Sequence, residues 1–208
     1  MNVPLASLEG KRRLDACIGT NHTSSSMRVW RPQSGRTLCA FATLACMVNS
    51  IKYDEDEDSG RTDSELFEMA VEMDTLGITR STVLTEGLTL EEFVKVAVIV
   101  SPKCINSIRL NADDDTSSKA SWKQTLVRTL QDQSKSRLAC NYHMTTAGQS
   151  PFGGHFSPLV AYHEVQYDLC YIIIAIMLPT YPQDTDSFLI LDVWPDTEPL
   201  WIEWETLW

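Results

Sequence analysis

The stretch Cys39 to Ile51 limits the possible folds more than any other part of this chain. Phe41, Leu44, Ala45, Val48 and Ile51 fall at i, i+3, i+4, i+7 and i+10, the spacing of a buried helix face. Residues 1 to 37 before it read as polar and irregular, with Ser24-Ser25-Ser26 and the helix breakers Pro32 and Gly35. After it comes an acidic loop, Tyr53 to Gly60, holding the carboxylate run Asp54 to Asp58; it lacks the spaced ligands and glycine turn of a calcium loop and reads as a solvated segment. A helix is predicted from Asp63, with Ser64 as a possible cap and Leu66, Met69, Ala70 and Met73 along one side. A second helix is predicted from Thr89 into Val94–Val100, then a polar turn at Asp113–Ser118 and a helix over Ser121–Leu130. Beyond Lys135 the text turns to strands at Leu138–Tyr142, His155–Tyr162 and Phe188–Val193, with Gly148, Pro151, Gly153 and Gly154 punctuating the first gap. Helices first and a sheet after them predict an α+β fold in which the cysteine-bearing helix packs on an antiparallel sheet.

The chain has 208 residues, enough for one domain with a sizeable core. Asp plus Glu is 28 against 17 for Lys plus Arg, so the net charge of -11 offers no general field for a nucleic acid or an anionic membrane. Met1–Arg13 carries charges with no apolar run behind them, so no secretory signal is visible. The longest uncharged apolar stretch, Leu169 to Leu178, is about half the roughly 20 residues of a membrane span. A soluble, cytoplasmic protein is expected. Its cysteines, at 17, 39, 46, 104, 140 and 170, form no CxxC pair and match no zinc module, so they are expected as free thiols without a structural metal.

A nucleophilic cysteine needs an activated thiolate, a base and a group to orient that base. Cys39 follows a breaker-rich segment and opens an apolar helix, where the helix dipole favours a thiolate. A small core residue is the competing reading, and it is the one assigned to Cys46 in mid-helix. His155 stands behind Gly153-Gly154, which allow close approach to its ring; His22, His143 and His163 read as structural. Asp192 ends the apolar run Phe188–Leu191, and a carboxylate buried there needs a partner such as an imidazole.

These residues carry a family resemblance. Gln33, Cys39 and Asn49 together resemble the cysteine segment of phytochelatin synthases. Gly154-His155-Phe156-Ser157-Pro158 with Tyr162-His163 is similar to their histidine motif, and Leu189-Ile190-Leu191-Asp192-Val193 to their aspartate motif. Gly87 to Glu92 resembles the link between them. The likeness runs from about residue 22 to the C-terminus, leaving 1–21 as an irregular leader to a 22–208 catalytic domain. It implies a papain-like fold and thioester chemistry: Cys39 as nucleophile, His155 as base and then acid, Asp192 holding its tautomer, and Gln33 with the Cys39 N–H as oxyanion donors. Gly154 and Tyr142 would face the substrate. The implied donor is glutathione, cleaved at its Cys–Gly bond, with the γ-glutamylcysteinyl group passed to a second glutathione or to water. Cadmium or zinc would take part only as a substrate thiolate complex, with no cofactor held tightly. A papain-like acyltransferase acting on another small substrate, or an inactive thiol-binding homologue, are the alternatives.

The likeness has gaps. Met144 and Pro195 stand where the resemblance implies arginines that would clamp substrate carboxylates. Further substrate-binding residues are expected beyond Trp208, so the closing segment of the domain reads as missing. His155 and Asp192 are 37 residues apart; removing the 19 residues Val165–Gln183 leaves 18, the implied spacing. Because valine codons begin with GT and a glutamine codon can end in AG, Val165–Gln183 reads as a retained in-frame intron. A genuine β-hairpin insertion, with Tyr171–Ile176 as a β-prone strand, is the competing view.

Overall fold

A computed structural model describes residues 2–18, 20–55, 60–73, 76–100, 119–132, 136–150, 153–164 and 186–207. In chain order the elements are β1 (Val3–Pro4), α1 (Leu8–Ala16), α2 (Thr20–Val29), α3 (Cys39–Asp54), α4 (Asp63–Glu72), α5 (Arg80–Glu86), α6 (Leu90–Val100) and α7 (Lys119–Gln131). There follow β2 (Leu138–His143), a 3₁₀ turn at Met144–Ala147, β3 (Gly154–His163), β4 (Ser187–Ile190), β5 (Leu200–Glu203) and α8 (Trp204–Leu207). The strands form one antiparallel sheet in the order β1-β5-β4-β3-β2. The fold is α+β, with most helices ahead of most strands.

Alternation along β4 divides the core between the sheet faces. Leu189, with Leu191 just past the strand, joins Cys46 of α3, Val160, Ala161 and Trp201 on one side. Phe188 joins Leu130 of α7, Leu159, Tyr162 and Trp204 on the other. Full burial of side chains this size is worth about 1.5–3 kcal/mol each, so the two layers hold the sheet from both sides. Away from the sheet, Phe41 of α3 meets Phe67 of α4 edge-on at 5.6 Å. Phe93 of α6 stacks on Phe156 of β3 at 4.6 Å. Helix α3 is thus gripped on several flanks, which fixes the position of its first residue, Cys39.

One expectation about the chain's beginning is corrected, and one about the cap of α4. Residues 1 to 37 are not irregular: they contain β1, α1 and α2. These helices lack an apolar stripe because polar contacts tie them down. Buried Arg13 donates to Ser187 Oγ at 2.9 Å, Thr23 Oγ1 to the Val160 carbonyl at 2.8 Å, and Trp201 Nε1 to the Gly10 carbonyl at 3.0 Å. The cap of α4 is Thr62 rather than Ser64, in a reciprocal capping box with Glu65. Helix α5 and strand β5 were not anticipated, and β4 ends at Ile190, so Asp192 lies in the loop beyond the strand. The Asp113–Ser118 turn, the Val165–Gln183 segment, Asp56–Asp58 of the acidic run, Cys104 and Cys170 all lie outside the described residues. No helix among the described residues is long and apolar enough to cross a membrane.

The crossing of α1 over β1 depends on a missing side chain. A Cβ on Gly10 would stand 2.1 Å from the Pro4 carbonyl oxygen and 2.8 Å from the Leu5 backbone. Gly10→Ala should therefore push α1 off the sheet and lower stability by about 1–3 kcal/mol, the usual range for overpacking. A urea unfolding midpoint unchanged from the parent would show that the corner relaxes freely.

Candidate active site

Residues 39, 155 and 192 are brought together by α3, β3 and the loop after β4. Cys39 is the first residue of α3 and is 9 % exposed. Its N-cap is Leu38, which has no side-chain acceptor, so the first-turn N–H groups have no side-chain cap. His155 is the second residue of β3, buried at 1 % exposure, and lies opposite Tyr142 of β2 in the register. Its Nε2 sits 3.0 Å from Asp192 Oδ1. That leaves Nδ1 as the ring nitrogen not engaged by Asp192, and Cys39 is near enough for its thiol to act on the ring's basicity.

Burial pulls the basicity of His155 down, but hydrogen bonds to Asp192 and Cys39 and their charges outweigh it and lift the pKa to about 9. At neutral pH the ring is therefore mainly imidazolium, the form that stabilises a neighbouring thiolate. The other described cysteines sit differently. Burial raises the Cys17 thiol to about 11 and Cys46 to about 12, and burial followed by the charge of Asp192 raises Cys140 to about 12. Of these thiols, only Cys39 meets an imidazole.

Asp192 is wholly buried, so its charge must be met by donors. Its Oδ1 accepts from His155 and from the Trp194 backbone N–H at 2.9 Å, while its Oδ2 accepts from the Gln149 side-chain amide. The Trp30 indole N–H donates to its backbone carbonyl at 3.1 Å. Two rings hold the imidazole edge-on, Tyr142 at 5.6 Å and Trp194 at 6.0 Å.

Gln33 is buried beside this loop. Its backbone N–H donates to the Val193 carbonyl at 2.7 Å and its amide to the Gly35 carbonyl at 2.7 Å. A second amide proton remains for another acceptor. Tyr142 is arranged differently from a substrate contact: it is buried, with its hydroxyl 3.1 Å from Ser157 Oγ. Gly154 is exposed at the strand's start, beside the Asn141 side chain. Met144 is buried under the end of β2. Among the described residues no three His, Cys, Asp or Glu side chains gather as a metal ligand set.

Gln149 escaped the sequence reading. It carries no periodic signal, sits in a turn and meets a partner 43 residues on. The nearest local cue is Gly148, whose φ of 78° closes the 3₁₀ turn and lets the Gln149 N–H reach back to the Met144 carbonyl at 3.2 Å.

The family profile for phytochelatin synthase matches residues 1–174. This chain belongs to the phytochelatin synthase family. Its members are acyltransferases that move γ-glutamylcysteine and act on glutathione. The match covers the Cys39 and His155 segments and ends before Asp192, whose assignment rests on its hydrogen bond to His155. No curated protein sequence matches the chain.

Removing the Gln149 amide should leave one oxygen of a buried carboxylate without its donor. Gln149→Ala is expected to lose about 1–3 kcal/mol in urea unfolding. Full stability in that variant would mean that water or another group replaces the amide at once.

Proposed function

We propose that this protein is a phytochelatin-synthase-type dipeptidyl transferase with a papain-like Cys–His–Asp arrangement, working through a thioester on Cys39. The observation that carries the reading is the grouping of Cys39, at the uncapped start of a buried helix, with a His155 ring that is hydrogen-bonded to buried Asp192 and whose basicity Cys39 raises.

The Cys39 thiolate attacks the carbonyl carbon of the Cys–Gly bond in glutathione. Negative charge on the carbonyl oxygen is met by the Cys39 backbone N–H and the second Gln33 amide proton. The His155 imidazolium delivers its proton to the glycine nitrogen as the C–N bond breaks, and glycine leaves. The γ-glutamylcysteinyl thioester remains on Cys39. His155, now neutral, takes a proton from the acceptor as the acceptor attacks the thioester carbon, and Cys39 leaves as the thiolate. The acceptor is the amine of a second glutathione, giving a longer peptide, or water, giving hydrolysis. Cadmium or zinc takes part only as the thiolate complex of the substrate peptide. Asp192 fixes the ring so that Nδ1 faces sulfur throughout, and Gln149, Trp194 and Trp30 fix Asp192.

A specific observation favours hydrolysis as a strong competitor to transfer. The two positions where the resemblance places carboxylate-clamping arginines hold Met144, which is buried, and Pro195, which cannot carry charge.

Brief exposure to glutathione should leave a γ-glutamylcysteinyl adduct on Cys39 in intact-protein and peptide mass spectra, with free glycine released. Cys39→Ser should show neither. Turnover that survives this substitution would remove the nucleophile from the scheme.

The pH profile supplies a second test. Glycine release needs the protonated ring, so kcat/KM should fall as pH rises through about 9. Asp192→Asn removes a group that raises the His155 pKa, so the alkaline limb should move to lower pH. A limb that stays in place in the variant would detach the two residues functionally.

A further inference from the structure

Beside α3, one helical turn from Cys39 but around its flank, lies an open cavity of about 400 Å³. Arg28 and Arg31 from the end of α2, Lys52 from the last turn of α3 and Arg61 ahead of α4 all line it, with Tyr53 and Asn49 between them. Four cations share one concavity in a chain whose net charge is -11. Like charges gathered this closely repel, and in an acidic protein the ordinary remedy is a carboxylate among them.

That remedy is not in place for the arginines. Neither Arg28, Arg31 nor Arg61 forms an ion pair among the described residues. Arg28 lies over the Tyr53 ring at 5.6 Å, a contact that orients the guanidinium without neutralising it. Arg31 donates through one terminal nitrogen to the carbonyls of Arg28 and Trp30 at 3.0 and 2.6 Å. Arg61 is half-buried and donates to the Met69 sulfur, a weak acceptor. Its backbone is clamped in both directions by the Asn49 amide, each bond 2.8 Å, so its place on the rim is fixed by α3.

Among the described residues the nearby carboxylates form no ion pair with these three arginines, although Asp63 stands on the cavity wall and the charge of Arg61 acts on Glu65 through space. Asp63 lines the cavity, but its two oxygens accept from the Ser34 and Ser64 backbone N–H groups at 2.6 and 2.8 Å. Asp54 pairs with His22 and Arg137, and Glu65 accepts from Thr62. Arginine presents a planar fork that matches carboxylate and phosphate oxygens.

We propose that this cavity is a binding site for a small polyanion carrying two or more carboxylate or phosphate groups. It is separate from the Cys39 chemistry, and its occupancy is independent of what the thioester site accepts.

Titration calorimetry of the full chain with inorganic pyrophosphate and with citrate, at low ionic strength, tests this. Saturable one-to-one binding of at least one of them is expected, weakening steeply with added salt. The response to each identifies the preferred group: citrate alone points to carboxylates, pyrophosphate alone to phosphates. Arg31→Ala and Arg61→Gln should each weaken binding about tenfold or more, the loss of a charge-assisted contact. Arg80→Ala, which removes an exposed arginine paired with Glu68, should leave it unchanged. Circular dichroism matching the parent shows that each variant is folded. Should a variant not fold, the other variant and the salt dependence decide. No saturable binding of either probe would overturn the proposal, as would affinity unchanged from the parent in both the Arg31 and Arg61 variants. Binding seen only after Asp56→Asn, Glu57→Gln and Asp58→Asn are combined would also overturn it, because the chain's own acidic run would then be the occupant.

Discussion

Asp192 is a carboxylate without access to water, and segments from distant parts of the chain converge to satisfy it. Moving an isolated charge from water into a low-dielectric interior is prohibitive unless hydrogen-bond donors replace the lost hydration. Asp192 receives three donors on its two oxygens, and its carbonyl receives a fourth. Each comes from a different part of the chain: a sheet strand, the aspartate's own loop, the turn after β2 and the end of α2. That convergence couples the position of His155 to segments more than a hundred residues apart. It also explains why a ring buried in an apolar strand remains a strong base, since the anion beside it offsets the penalty of burial.

Helix α3 supplies the other half of the geometry. Its start must be rigid for sulfur to meet Nδ1, and that rigidity comes from packing rather than capping. Leu38 offers no cap, yet Phe41, Leu44 and Ala45 are buried in the cluster shared with α4, α5 and α6. Leaving the first-turn N–H groups without a side-chain acceptor is unfavourable for an isolated helix. Under the proposed mechanism the Cys39 N–H meets the charge that develops on a carbonyl oxygen, and the terminal stability given up at this helix start serves electrostatic preorganisation.

What could be read in advance follows from the kind of interaction involved. The α3 face, the Thr89 helix start and the β3 strand are apolar patterns repeating within about a dozen residues, and periodicity reports such patterns directly. The order of Cys39, His155 and Asp192 was legible because each stands beside a local breaker or ends an apolar run. Helices α1 and α2 were not legible: Arg13 and Thr23 anchor them by hydrogen bonds to Ser187 and Val160, contacts that leave no stripe in the sequence. Strand β5 is four residues long and follows Pro199, too short for alternation to stand out. Gln149 was invisible for the same reason as Arg13, since its meaning lies wholly in a partner far along the chain. The basic cavity is the extreme case. A count of charges describes the chain as acidic, while folding gathers four of its cations into one place.

Under the proposed thioester mechanism, the balance between transfer and hydrolysis turns on which acceptor can approach the acyl group. His155 and Asp192 are almost inaccessible and Cys39 is only slightly exposed, so a bound acyl group would itself close much of the remaining opening. Transfer competes with hydrolysis when an acceptor amine is held in place of water, because positioning adds to the amine's greater nucleophilicity and offsets the abundance of water. Holding a peptide acceptor requires contacts to its carboxylates. With Met144 turned into the core and Pro195 lacking any donor, neither can make them.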